Sequence, residues 1–458
     1  MIRIDKDYYK KVMLIAVPIM IQNGITNFVN MLDNIMVGKI GTEQMTGVSI
    51  INQMMLVYNL MIFGGMAGIG IYTAQYAGKK DNEGIRITVR MKIILAAILS
   101  AIGLIIFLTN GVSLASLWLT GKEGGVDRVL TMEAARQYLL IICVGLIPFA
   151  LSQICSGTLR ENGETVVPMI AGIVAVVVNL TGNYVLIYGK FGAPVLGVAG
   201  AAIATVLSRF IELMYVLIWM MKNTSKYPFL VGIFAKFYIP LDLAKSIMIK
   251  AFPLLLNETL WSLGQTTLSQ QYSTLGSNVV AAFNISSTIS NVFNIAFIAM
   301  GESIAVLLGQ ELGTGKLGNV KKNANRLAVF SIILCLISGT GLFLISPFFP
   351  HIYNTGNDIR KIATGLIRIS AVFMPVYAYE NASYFTLRSG GKTWITFFFD
   401  CGFVWVCSIP AAFLLTRFSG FGIIEVYVLV QLADLIKAAI GYFMVRSGIW
   451  IQNLAREI

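Results

Sequence analysis

The chain has 458 residues, of which 57% are hydrophobic and only 12% are charged, and its mean hydropathy is +0.77. Soluble domains carry about 25% charged residues, so this composition excludes a soluble globular protein and predicts a polytopic membrane protein. The formal net charge of +12 could indicate a nucleic-acid partner. We do not expect one, because no basic patch is interleaved with aromatic residues on a soluble face.

About twelve apolar stretches of roughly 20 to 30 residues follow one another, each long enough to cross a hydrocarbon core of about 30 Å. Most of the 34 lysine and arginine residues lie in segments that a cytoplasmic N-terminus would place inside, which is the usual charge asymmetry of membrane proteins. We therefore predict an all-α fold with both termini in the cytoplasm. The predicted spans are 12–37, 45–77, 91–118, 134–158, 166–188, 194–221, 245–275, 279–312, 324–350, 360–386, 392–416 and 422–446.

The first predicted helix carries one acid, Asp33, in "FVNMLDNIMVGKIG". A carboxylate at the bilayer centre costs about 2.5–3.5 kcal/mol, so such a residue usually faces a cavity or a partner. Asp33 lies about 22 Å along the helix from Pro18, toward the outer side. We interpret it as a candidate for binding a coupling ion. A structural carboxylate that fixes helix packing through hydrogen bonds is the alternative.

Helices 5 and 6 contain uncharged polar residues. Asn179 and Asn183, in "VVVNLTGNYVLIYG", are four residues apart and face one way, and Thr205 follows in "AAIATVLSR". Carbonyl and hydroxyl oxygens beside a carboxylate suit a hard monovalent cation or a network that stabilises a proton. Ordinary hydrogen bonding between helices explains the same residues equally well.

Two oppositely charged pairs occur within the predicted spans, Arg209 with Glu212 and Asp434 with Lys437. In each pair the residues are three apart, so they can neutralise each other on one helix face. We therefore expect a structural or gating role for both pairs.

Three of the acids within the apolar spans of the second half are further candidates for a functional role. Glu258 lies in "FPLLLNETLWSLG", five residues after Pro253, and is the stronger candidate. A buried carboxyl that holds a proton, and releases it when a cavity opens or a cation arrives, would serve an antiporter. Glu380 in "VYAYENASYF" and Asp400 in "TFFFDCGFVW" are candidates for a substrate site or a second coupling site.

The chain repeats itself. At an offset of 235 residues Pro18 matches Pro253 and Gly78 matches Gly313, and at an offset of 228 "TLRENGET" matches "TLRSGGKT". An even number of helices in each half predicts two six-helix bundles related by a pseudo-two-fold axis along the membrane normal. The predicted domains are an N-lobe at 1–221, a cytoplasmic linker at 222–244 and a C-lobe at 245–458.

The two strongest candidate acids break this repeat. The position equivalent to Asp33 is Leu268, and the position equivalent to Glu258 is Asn23. A structural role common to both bundles would place an acid in both halves. The asymmetry therefore favours a functional role for Asp33 and Glu258.

Cysteine and histidine usage argues against redox, haem and zinc chemistry. The five cysteines lie in apolar spans without CxxC spacing, and His351 is the single histidine. Neither a His-ligated metal nor a His-based catalytic triad is expected, and we predict no cofactor. A membrane-embedded transferase is also disfavoured, because the chain offers no sizeable polar loop for an active site.

Several motifs together resemble the multidrug and toxic compound extrusion (MATE) family, in its NorM-like bacterial branch. They are "VPIMIQNGITNFVNMLDNIMVGKIG", "TAQYAGKKD", "TLRENGET", "NYVLIYGKFGAPVLGVAGAAIAT", "FPLLLNETLWSLG" and "GQELGTGK". The resemblance covers essentially the whole chain. It implies a twelve-helix, two-lobed antiporter that exports organic, often cationic compounds in exchange for Na⁺ or H⁺.

The resemblance also implies site residues. Asp33 resembles the helix 1 aspartate of the family and would form, with Asn179, Asn183 and Thr205, an N-lobe site for a proton or Na⁺. Glu258 resembles the helix 7 glutamate and would serve a proton or Na⁺ in the C-lobe.

The helix 10 aspartate of NorM-like proteins is expected about eleven residues before Arg388, where this chain has Tyr377. Glu380, one helical turn later, is the candidate to replace it, and Tyr377 is a further candidate for the substrate or second coupling site.

These observations predict a secondary active exporter that works by rocking of its two lobes. The expected partners are small-molecule drugs, organic cations and membrane lipid, and the protein is expected to act as a monomer in the bacterial plasma membrane. The alternative is a flippase for a lipid-linked sugar or another amphiphile on the same scaffold. Such a flippase would need unpaired basic residues for a phosphate headgroup, and the spans offer few.

Overall fold

The computed structural model describes residues 6–117, 127–235, 238–353 and 355–456, and these ranges contain helices and no β-strand. Residue 118, at the end of the third predicted span, and residues 236–237 of the predicted linker lie outside them. The helices are α1 (Lys6–Gly38), α2 (Thr42–Lys79), α3 (Asn82–Leu117), α4 (Arg128–Glu161), α5 (Val166–Tyr188), α6 (Gly197–Lys222), α7 (Leu241–Ser273), α8 (Ser277–Gly313), α9 (Val320–Ile345), α10 (Asn357–Ser389), α11 (Thr393–Phe418) and α12 (Ile423–Ser447).

Nine helices in the described part of the chain are long and apolar enough to cross a membrane. Each predicted span overlaps one helix in the same order, and the prediction of an all-α multi-pass membrane protein is confirmed. Two helices are irregular. A 3-10 turn at Cys143–Gly145 interrupts α4, and π turns at Phe398–Gly402 and Val404–Ser408 interrupt α11. Interruptions of this kind are frequent at functional sites.

The chain forms two compact units. One contains the chain up to Met20, Ala74–Lys80 and the chain from Ser246 onward, and the other contains Ile21–Thr73 and Asp81–Lys245. The chain passes between the units within α1 and within α2. In the first unit the start of α1 packs with α8, α9 and α10 around a core, and in the second unit α4, α5 and α6 share a smaller core.

Within the first unit, the end of α2 crosses the end of α8 at two glycines. A Cβ atom at Gly78 would overlap the backbone carbonyl of Gln310, and a Cβ at Gly313 would overlap that of Gln75. Gly78 and Gly313 are equivalent in the repeat, as are Gln75 and Gln310, so the contact is reciprocal. The sequence repeat at these four positions therefore corresponds to a close backbone contact between the two halves of the repeat.

The segment after α12 also packs against this crossing. Gln75 donates from Nε2 to the carbonyl of Gln452 in this segment at 3.2 Å, and its Oε1 accepts from the amide of Leu454 at 2.6 Å. The same Nε2 donates to the carbonyl of Ser389 at the end of α10 at 3.0 Å. Lys79 donates from Nζ to the carbonyl of Ala455 at 2.9 Å. The motif "TAQYAGKK" thus supplies both the glycine of the crossing and the side chains that hold this segment.

Gly313→Ala should destabilise the protein by about 1–3 kcal/mol, because the new methyl group forces the α2 and α8 backbones apart. Thermal unfolding in detergent measures the effect. The matched control is Gly318→Ala, since an added Cβ at Gly318 would meet no atom of the described residues within 4 Å. Equal melting temperatures for the two variants would contradict the crossing as a close backbone contact.

Candidate functional site

The structure brings four of the predicted site residues together in the second unit, and we call Asp33, Asn179, Asn183 and Thr205 the N-cluster. Oδ1 of Asp33 accepts a hydrogen bond from Nδ2 of Asn183 at 2.7 Å. The same Nδ2 lies 3.3 Å from Oδ1 of Asn179, whose Nδ2 donates to Oγ1 of Thr205 at 3.2 Å. One chain of hydrogen bonds therefore links α1, α5 and α6 at the acid.

Helix packing places these side chains. Asn179 and Asn183 are one turn apart on α5 and both are buried, so they share a face. Gly182 lets α6 approach closely, because a Cβ there would lie 2.9 Å from the Cβ of Ala204. On α1, the carbonyl of Met36 accepts from the hydroxyl of Tyr188 at 2.9 Å. These contacts hold α5 against α6 and α1, the two other helices that contribute side chains to the N-cluster.

The amide of Asn179 fits the N-cluster better in the reversed orientation. Its nitrogen then lies 2.8 and 3.1 Å from the two oxygens of Asp33, and its oxygen accepts from Thr205 at 3.2 Å. In either orientation, Oδ1 of Asn183 is buried without a hydrogen-bond partner among the described residues. The cluster thus joins a carboxylate to a buried amide oxygen, which are suitable groups for a proton or a hard monovalent cation.

Sequence reasoning missed two residues beside this cluster. The hydroxyl of Tyr138 on α4 donates to Oδ1 of Asn52 on α2 at 3.3 Å, and Tyr138 also interacts with Thr205 and with the charge of Asp33. Asn52 was detectable, since it is a polar residue within an apolar span. Tyr138 gave no such signal, because tyrosines are common in membrane helices.

A second polar cluster lies in the first unit, and we call Asn257, Glu380, Asp400 and Lys437 the C-cluster. Nζ of Lys437 on α12 lies 3.0 Å from Oδ1 of Asp400 on α11 and 3.6 Å from Oε2 of Glu380 on α10. Asn257 on α7 donates from Nδ2 to Oδ2 of Asp400 at 3.1 Å, and the same nitrogen lies 3.3 Å from the hydroxyl of Tyr384. Four helices therefore meet at one buried ammonium and two acids.

Glu258 borders the C-cluster, because it follows Asn257 on α7. The side chain is half-buried. It interacts with the charges of Arg388 and Asp400 and with the hydroxyl of Tyr384. The structure thus places three of the predicted acids, Glu258, Glu380 and Asp400, in one neighbourhood within the first unit.

Tyr377, on the same helix as Glu380, lies mainly among aromatic side chains. Its ring centroid is 6.3 Å from that of Phe297 and 6.4 Å from that of Phe373, and its hydroxyl interacts with Tyr427. The acid one turn later pairs with Lys437 instead.

Of the two charged pairs predicted from spacing, one is confirmed. Nη1 of Arg209 lies 3.3 Å from Oε2 of Glu212 on the same helix. The prediction of a self-contained pair is wrong for Lys437, whose ion pairs are with Asp400 and Glu380 on other helices. Asp434 interacts with Lys437 as well. The spacing of Asp434 and Lys437 could not show this, because Asp400 and Glu380 reach the ammonium through the packing of other helices against α12.

Comparison with known proteins identifies the family. The MatE family model matches residues 18–185 and 253–414, two segments that begin at the repeat-equivalent Pro18 and Pro253. The chain is 24% identical over 457 residues to the "Probable multidrug resistance protein NorM" of Thermotoga maritima, covering 98% of this chain and 95% of that protein. It is 23% identical over 421 residues to the protein of the same name from Oceanobacillus iheyensis, covering 90% and 91%.

Solved structures show the same fold. A multidrug resistance MATE family transporter of the MOP superfamily in an outward-facing conformation matches with a TM-score of 0.84 at 19% identity, covering 96% of this chain and 95% of that one. A MATE structure in a straight conformation matches with a TM-score of 0.85 at 20% identity and the same coverage. The fold, the repeated family match and the curated relatives agree, and the chain is a multi-pass membrane transporter that belongs to the MatE family.

Proposed function

We propose that this transporter is a secondary active multidrug exporter that exchanges organic, often cationic compounds for H⁺ or Na⁺. The observation that carries the proposal is the N-cluster, in which Asn183 donates to Asp33 at 2.7 Å within the helical bundle. An amide satisfies part of a carboxylate's hydrogen-bonding capacity without neutralising its charge. Asp33 is therefore suited to bind and release a proton or a small cation.

The names of the relatives support the substrate class. The proteins from Thermotoga maritima and Oceanobacillus iheyensis are both named as probable multidrug resistance proteins. We extend this function to the present chain as part of the proposal. Organic cations are the expected substrates, because Asp33 in one unit and Glu258 in the other supply negative charge within a low-dielectric environment.

Glu258 is the second coupling carboxylate in this proposal, with Na⁺ or a proton as its ligand. Its support is its position beside Arg388 and Asp400, where a change in its charge alters the electrostatics of the C-cluster. No cofactor other than the coupling ion takes part. Tyr377 remains proposed as part of a substrate or second coupling site. Glu380 and Asp400, the other two residues predicted for that site, form ion pairs with Lys437, so we do not assign the exchange to them.

The transport cycle follows the scheme predicted from the repeat. The two lobes rock to open a path to each side in turn, and drug and ion compete for binding. We place the monomeric protein in the bacterial plasma membrane with both termini in the cytoplasm, in contact with lipid and without a nucleic-acid partner.

A flippase for a lipid-linked sugar is the less favoured function. Such a protein would need cationic groups available to a phosphate headgroup. The buried lysines Lys92 and Lys437 pair with the carboxylates of Glu161 and Asp400 instead.

Gradient-driven export tests the proposed function. Purified protein is reconstituted into liposomes, and movement of the fluorescent cation ethidium is followed under an imposed Na⁺ gradient or an imposed pH gradient, one at a time. We expect one gradient to drive ethidium against its concentration and an ionophore that dissipates that gradient to stop it. Protein-free liposomes are the control, and transport that responds to neither gradient would refute ion-coupled export.

A further inference from the structure

The ammonium of Lys437 is the feature of the C-cluster that the proposed exchange does not use. The side chain is only 10% exposed, and its Nζ lies 5.5 Å from the ring centroid of Phe399. Burying an ammonium is costly unless carboxylates and hydrogen bonds compensate. Lys437 meets this requirement through Asp400 at 3.0 Å and Glu380 at 3.6 Å.

The surroundings of Lys437 contain more acceptors than this one ammonium uses. Oε1 of Glu380 and Oδ1 of Asn257 are both buried and have no hydrogen-bond partner among the described residues. Glu380 is 7% exposed and Asn257 is 2% exposed. Asp434 adds a further carboxyl that interacts with Lys437. The side chains around Lys437 therefore have the composition of a binding site for a cation, and the ammonium of Lys437 is the cation in that site.

We propose that Lys437 is a resident cation, a tethered ammonium that fills a site for monovalent cations formed by Asp400 and Glu380. While it is in place, neither the coupling ion nor the charged group of a substrate binds at this pair. Without it, the pair accepts a small primary ammonium ion from solution. The inference rests on the proposed exchange of ions and assigns that exchange to carboxylates other than Asp400 and Glu380.

The repeat shows how the two halves differ in this respect. Arg209 is the residue equivalent to Lys437, and it pairs at 3.3 Å with Glu212 on its own helix. The acid of the N-cluster, Asp33, receives its hydrogen bond from a neutral amide. The basic residue at this repeat position therefore forms ion pairs with acids on other helices in one half. In the other half it forms an ion pair on its own helix, and its charge acts on Asp33 without an ion pair.

Cation-dependent stability of Lys437→Ala tests the proposal. The full-length variant is purified in detergent, and its melting temperature is measured in methylammonium chloride and in tetramethylammonium chloride at equal ionic strength. Methylammonium has three N–H donors and tetramethylammonium has none, so the comparison separates site binding from salt screening. We expect methylammonium to raise the melting temperature of Lys437→Ala by at least about 3 °C relative to tetramethylammonium, with no such difference for the wild type.

Two further variants make the result decisive. Arg209→Ala is the matched control and should show no selective response, because Arg209 does not occupy the C-cluster. The triple variant Lys437→Ala, Asp400→Asn, Glu380→Gln should fold and lose the response, since both acids are then neutral. If Lys437→Ala is too unstable to purify, a yield restored by methylammonium but not by tetramethylammonium supports the proposal. Failure of methylammonium to improve either yield or melting temperature overturns it.

This readout is stability and not transport, so it is independent of the proposed function. Loss of gradient-driven export in the liposome assay would refute ion coupling and leave the cation response of Lys437→Ala intact. A missing cation response with normal export would refute the resident cation alone.

Discussion

Asp33→Asn should lower ethidium export roughly tenfold or more while the yield of folded protein stays near that of the wild type. The substitution keeps the size of the side chain but removes the charge that receives a hydrogen bond from Asn183. A neutral amide does not take up a proton near neutral pH and binds a cation more weakly than a carboxylate does, and the loss of one charge-assisted contact costs about 1.5–3 kcal/mol. At about 1.4 kcal/mol per tenfold, this cost corresponds to a roughly 10- to 100-fold loss in binding of the coupling ion. Initial rates of gradient-driven export in proteoliposomes measure the effect.

The control for Asp33→Asn is Glu133→Gln, which neutralises an exposed acid on α4 in the same unit. It should export at the wild-type rate. Asn183→Leu should have a smaller effect than Asp33→Asn, because the carboxylate remains while one donor is lost. Wild-type export by Asp33→Asn would contradict the assignment of Asp33 as a coupling carboxylate.

The members of the N-cluster were predictable, although the contacts between their helices have no local signal in the sequence. The spacing of four residues puts Asn179 and Asn183 on one face of a helix, and the resemblance to a known family adds Asp33 and Thr205. The orientation of the Asn179 amide was not predictable. It depends on the oxygens of Asp33 that surround it in the folded protein.

The C-cluster was not predictable from spacing. Lys437 and Asp434 are three residues apart, a separation that favours pairing on one helix. The folded protein brings Asp400 and Glu380 closer to the ammonium from two other helices. Asp400 also lies within the π turn Phe398–Gly402, which changes the direction of side chains relative to a regular α-helix. The sequence carries no simple signal for such a turn.

Lys92 is a second charged residue whose environment was not predictable from the sequence. Its place at the start of an apolar span suggests a solvated residue of a cytoplasmic loop, yet it is fully buried on α3. Its Nζ lies 2.5 Å from Oε2 of Glu161 and 3.3 Å from Oγ1 of Thr158 on α4. Both partners belong to the motif "TLRENGET", so part of that motif serves to hold α4 against α3.

Lys92→Met should destabilise the protein by about 3–5 kcal/mol, because it removes the ammonium that neutralises Glu161 in a buried site. At roughly 2–4 °C per kcal/mol, the melting temperature in detergent should fall by about 10 °C. Lys222→Met, at an exposed lysine at the end of α6, should change it little. The double variant Lys92→Met, Glu161→Leu should recover much of the loss, because apolar side chains of similar volume replace a buried ion pair at little cost. A double variant no more stable than Lys92→Met would show that Lys92 acts through partners other than Glu161.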